Sequence, residues 1–115
     1  IPTLHIDPTP ARTRGVAAFV AAGGKVLYGT DLGNQGPPPG VDVRELALLV
    51  GAGLSPAATL ACATALAAGH LGLTDTGRVA AGQRADLLLV EGDPLADLEA
   101  LTRIRLVSRA GWIAA

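Results

Sequence analysis

From Leu46 to Thr74 the chain carries no Asp, Glu, Lys or Arg, and His70 is the only imidazole in that stretch. A run of this length without charge permits two outcomes, a membrane span or elements buried inside a protein. Gly51, Gly53, Ser55 and Pro56 sit in its middle, and much of the rest is Ala, Thr and Gly, which gain little from lipid. Two short buried helices account for the pattern better than a span. Ser55-Pro56 has the form of an N-cap followed by proline at the first helical position, and it starts the second of them, expected over 56–68.

The first helix is expected over 43–50. Asp42 and Glu45 have capping-box spacing, Val43, Leu46, Leu49 and Val50 share one face, and Gly51 ends it. Upstream, prolines exclude regular helix from residues 1–10, and Val16, Phe19 and Val20 set a helical period from Ala11 to Ala22. Val26-Leu27-Tyr28 then reads as a buried, parallel-type strand over 25–30. A lone parallel strand cannot satisfy its own backbone groups, so it calls for neighbours that the rest of the chain barely offers. Residues 32–40, with three consecutive prolines, can only be a loop. Beyond Gly69 short strands are expected at 77–80, 86–90, 104–108 and 112–113, antiparallel in arrangement. The fold class is therefore α/β.

The 115 residues are half hydrophobic and carry a net charge of −1, with nine basic residues against ten acidic. Disorder is excluded, and no positive field exists to attract nucleic acid. The single Cys62 excludes a disulfide framework and reads as a small buried hydrophobe. There is no Met, the chain opens in mid-pattern at Ile1, and nothing resembles a signal peptide. A piece of a longer, cytoplasmic protein is the expectation.

Asp31 is the residue best placed for chemistry. It stands at the C-terminal end of the expected strand, where barrel enzymes carry their active sites, and a carboxylate there can bind a metal or take a proton from water. Asp also starts turns, and position alone favours that reading. His5 is expected on a surface loop and His70 at a helix end. Asp86, Glu91, Asp93 and Asp97 are read as solvating and turn-forming residues. No glycine spacing matches a phosphate loop.

Gly29-Thr30-Asp31, Glu45-Leu46, Ala52-Gly53-Leu54-Ser55-Pro56, Ala63-Thr64, Leu71-Gly72-Leu73, Asp75-Thr76-Gly77 and the run from Gly82 through Ala85-Asp86-Leu87 and Gly92-Asp93-Pro94-Leu95 to Asp97-Leu98 occur in this order. Together they resemble the closing part of a metal-dependent amidohydrolase of the imidazolonepropionase-like and prolidase-like branch. The resemblance implies the C-terminal fragment of a (β/α)8 barrel over 1–74, entered at about the seventh strand (Ile1–Leu4), with strand 25–30 as the eighth. Residues 75–115 would then belong to a small composite β-sandwich. It implies hydrolysis of a C–N bond in a small molecule by a metal-activated water, with a divalent metal such as zinc. Asp31 would be both metal ligand and proton acceptor, and Leu32, Gly33 and Asn34 would border the substrate. The family's His-x-His pair, its Lys or Glu and its two later histidines have no counterpart here, so the fragment alone is expected to be inactive. The rival reading is a non-catalytic interaction module that reuses this portion of the fold. Its exposed strand edge would favour homo-oligomers.

Overall fold

The computed structural model describes residues 1–33 and 39–114. Four helices form one layer: α1 (Pro10–Ala21), α2 (Val43–Gly51), α3 (Pro56–Ala63) and α4 (Ala65–His70). A three-stranded antiparallel sheet follows, β1 (Leu87–Val90), β2 (Ile104–Arg109) and β3 (Trp112–Ala114), in the order β1-β2-β3. The α/β class and the antiparallel C-terminal strands are as expected.

Local chemistry sets most of the helix starts. Thr9 accepts from the Arg12 N–H ahead of Pro10, and Ser55 accepts from the Ala58 N–H ahead of Pro56. Asp42 accepts from the N–H groups of Arg44 and Glu45. Only half of the expected capping box forms, because Glu45 turns away from its own helix end and binds His5.

Three elements differ from expectation. Residues 25–30 run extended but join no sheet among the described residues, since no parallel neighbour is there to pair with; the Tyr28 N–H donates instead to the Cys62 carbonyl. Around the start, Leu4–Ile6 forms a short 3-10 turn after a left-handed Thr3, where the resemblance implied a strand over Ile1–Leu4. Residues 77–80 are irregular, because Gly77 turns the chain at φ +86 against α4. A β-carbon at Gly77 would lie 2.8 Å from Ala68 Cβ and 3.0 Å from the Thr64 carbonyl. The expected helix 56–68 is also broken at that crossing, at Thr64, whose hydroxyl bonds back to the Leu60 carbonyl.

The core consists of Leu4, Val26, Leu49, Leu54 and Cys62, with Val16, Val20, Tyr28 and Leu66 packed on it. Cys62 is buried as expected, and burial pushes its thiol pKa up. Accessible surface totals 7251 Å², whereas a compact monomer of this mass exposes about 5,800 Å². Large apolar side chains are among the exposed residues: Val79 is 88% exposed and Trp112 81%, and Leu71, Leu89 and Ile113 are open as well. No helix among the described residues is long and apolar enough to cross a membrane.

Candidate functional site

The extended segment 25–31 is the spine of the site. Val26 is buried, Tyr28 is half-buried, and the segment ends at Asp31, which is exposed. Asp31 has φ +50, the left-handed region that Asp tolerates better than most residues. Leu32 is exposed and Gly33 follows at φ +109. Asn34 lies outside the described residues. The chain turns at Asp31, as the turn reading expects.

A second polar group lies behind this segment. His5 and Glu45 are buried, with Glu45 fully enclosed. Glu45 Oε2 accepts from the His5 N–H at 2.8 Å and lies 3.2 Å from His5 Nδ1. His5 Nδ1 is also 3.4 Å from Asp42 Oδ2, and the Asp42 N–H donates to Tyr28 Oη at 2.7 Å. Burial, opposed by the bond from Asp42, pushes the Tyr28 phenol above its ordinary value, so it stays neutral. The expectation of a surface His5 is therefore corrected. Its partner lies 40 positions away, so no local pattern marks His5 as buried.

His70 closes α4 as expected and lines a cavity of about 780 Å³ with Lys25, Tyr28 and Arg78. Asp31 is not among its lining residues. Of the acidic residues of the sheet region, Asp93 and Asp97 act in local turns as expected, whereas Asp86 and Glu91 make longer-range bonds, Glu91 to Arg105. Asp93 accepts from the Leu95 N–H, Asp97 from the Glu99 N–H and Asp86 from the Ala110 N–H.

Among the described residues no three His, Cys, Asp or Glu side chains group closely enough to hold a metal ion. Asp31 offers one oxygen ligand where a catalytic metal takes about three protein ligands and a water. These residues do not by themselves fit a complete metal centre.

Residues 10–114 match the Amidohydrolase family. The chain belongs to that family. Imidazolonepropionase of Deinococcus deserti is 39% identical over 97 residues, which are 84% of this chain and 24% of that protein. The solved structure of a putative prolidase from Bifidobacterium longum superposes with a TM-score of 0.78 at 39% identity, covering 90% of this chain and 26% of the other. A Xaa-Pro dipeptidase structure with methionine bound in its active site gives 0.82 at 26% identity, over 91% of this chain and 26% of that one. These relatives place the amidohydrolase on the imidazolonepropionase-like and prolidase-like branch. The chain spans about a quarter of the length of the relatives it matches.

Proposed function

We propose that these residues are the C-terminal part of a cytoplasmic amidohydrolase that hydrolyses a C–N bond, in an amide or cyclic amide, of a small-molecule substrate. The observation that carries this is the 39% identity to an imidazolonepropionase over most of the chain. Residues 1–74 are the last strands and helices of a (β/α)8 barrel, and 75–115 are the C-terminal part of a β-sandwich. The unpaired extended segment and the exposed large apolar side chains support the reading, because both call for neighbouring elements that these residues do not supply.

Asp31 is the catalytic residue of this portion. As water adds to the carbonyl carbon, the Asp31 carboxylate takes its proton; as the C–N bond breaks, the proton passes to the leaving nitrogen. Leu32, Gly33 and Asn34 border the substrate. A divalent metal, zinc in the simplest case, would polarise the carbonyl and acidify the water when bound. Asp31 would be its one ligand from this chain, and the others would come from elsewhere in the protein.

The test uses the intact protein with an imidazolone propionate and an Xaa-Pro dipeptide as probes. Asp31→Asn is expected to lower kcat on the order of 10³-fold while amide exchange of the core stays unchanged. Turnover within about tenfold of the parent overturns the assignment. Absence of turnover on either probe by the parent itself favours the rival reading, a non-catalytic module.

A further inference from the structure

The most deeply buried polar side chains of this molecule are not the ones the proposed chemistry uses. Glu45 and Thr59 have no exposed surface and His5 is 8% exposed, and in the linked His5–Glu45 pair both His5 Nε2 and Glu45 Oε1, like Thr59 Oγ1 elsewhere, find no hydrogen-bond partner among the described residues. An orphaned buried polar atom costs about 1–3 kcal/mol, and an apolar pair of the same size serves stability at least as well. Stability alone therefore gives no reason for the cluster.

Its geometry gives one. Asp42 is engaged at three points: Oδ1 caps α2 through the N–H groups of Arg44 (3.0 Å) and Glu45 (3.4 Å), Oδ2 faces His5 Nδ1, and its own N–H is held by Tyr28 Oη. Glu45 grips the 3-10 turn at Leu4–Ile6 through the His5 N–H. The Tyr28–Asp42 bond spans 14 positions and the His5–Glu45 bonds span 40. Between Tyr28 and Asp42 in the chain lies Asp31, at a left-handed turn that Asp tolerates better than most residues and that the tied flanks would hold in place.

We propose that Tyr28, Asp42, His5 and Glu45 are positioning residues for Asp31, a buried polar clamp that ties both flanks of the turn to α2 and the N-terminal segment. This rests on the reading of Asp31 as the proton acceptor. Tyr28 stands three residues before Asp31 in the chain, Asp42 joins it to the helix end, and the His5–Glu45 pair ties that helix to the N-terminal segment.

The intact protein tests it with the same two probes. Tyr28→Phe keeps the ring and removes the oxygen that holds the Asp42 N–H. It is expected to lower kcat about 10- to 100-fold, the cost of a misplaced reacting group, with KM within about threefold. Amides at 29–32 and 39–42 should exchange faster while those of α3 do not change. Glu45→Gln keeps an oxygen for the His5 N–H and should retain most of the turnover that Glu45→Ala loses. A purely structural role predicts lower thermal stability, faster exchange throughout the helical layer and an unchanged kcat per folded molecule, and that result overturns the proposal. Unchanged kcat in Tyr28→Phe, beside a large loss in Asp31→Asn, removes the clamp and leaves the Asp31 reading intact. Retained turnover in Asp31→Asn removes both.

Discussion

The helical layer and the C-terminal sheet of this amidohydrolase chain are held by different forces. Leu4, Val26, Leu46, Leu49, Ala52, Leu54, Cys62 and Ala68 are all buried in the first part, whereas among the described residues beyond 75 Ala100 alone is a buried hydrophobic. The sheet relies on ladder bonds, turns and exposed ion pairs: Arg84 with Asp86, Arg103 with Asp97, and Arg105 with Glu91. Exposed pairs contribute little each, about 0–1 kcal/mol. Burial fixes the part that carries Asp31, and the sheet's apolar strands remain open on a surface that another element of the protein can cover. The difference teaches that rigidity was placed behind the proposed site.

The contrast breaks hardest at Leu49, which is fully buried at the centre of the helical core. Leu49→Ala should destabilise this layer by about 2–5 kcal/mol, through lost burial and the cavity left behind. Amide exchange in the intact protein is the measurement: α2 and α3 should open far more often, with β2 little changed. Equal acceleration in both parts would show that they unfold as one unit, and the comparison would fail.

Gly77 stands at the junction. A methyl group there would meet Ala68 and the Thr64 carbonyl, and the backbone sits where side chains are strained. Gly77→Ala should cost about 1–3 kcal/mol. Its effect belongs at the α3–α4 break, read as faster exchange at 65–70 ahead of any change in α1. A neutral result would mean the crossing can shift, and the break at Thr64 would then need another cause.

How far the sequence reveals these features depends on the distance over which they are decided. Asp42 and Ser55-Pro56 start helices through groups within three residues, so α2 and the start of α3 are legible, and the Val16, Phe19 and Val20 period marks α1 although its Thr9-Pro10 start goes unread. The β1–β3 strands follow from short apolar runs set between glycine-bearing turns. His5 meeting Glu45, Tyr28 meeting Asp42 and Gly77 breaking a helix at Thr64 are decided by packing between distant segments, on which local pattern is silent. Segment 25–30 shows the same limit from the other side. Its apolar run marks it for strand pairing, but the pairing depends on partners and not on the run itself. For Asp31 position alone favours a turn, and only the family resemblance carries the reading to a catalytic carboxylate.

A smaller change should strengthen the weaker region. Arg109 pairs with Trp112 across a two-residue connection in which Ala110 (φ +51) and Gly111 (φ +85) are both left-handed, as a type I′ hairpin requires. Ala is poorly suited to that backbone and Asn accepts it. Ala110→Asn should stabilise the β2–β3 hairpin by about 0.5–1 kcal/mol, seen as slower exchange of the β2 amides. Faster exchange would mean that the bond from the Ala110 N–H to Asp86 had been disturbed.

The smallest expected effect separates the regions by pH. The bond from the Ala110 N–H, then Arg84, holds the Asp86 carboxyl below its ordinary 3.8, and Arg103, then the Glu99 N–H, does the same for Asp97. Groups with depressed folded-state values contribute stability that is present above the unfolded value and lost as pH falls through the folded one. The sheet should therefore loosen first on acidification below about pH 4. Tyr28 behaves oppositely: burial raises it above 10.0, so its contribution is in place below that value and fades as pH rises through the folded one. Acid should open β1–β3 ahead of α2, and alkali should open the Tyr28 segment ahead of the sheet, once exchange is corrected for its intrinsic pH dependence. Asp97→Asn should blunt the acid response of the sheet and leave the alkaline response of the helical layer unchanged. Loss of both regions at one pH, in acid and in alkali alike, would mean that their stabilities are coupled more tightly than the burial pattern indicates.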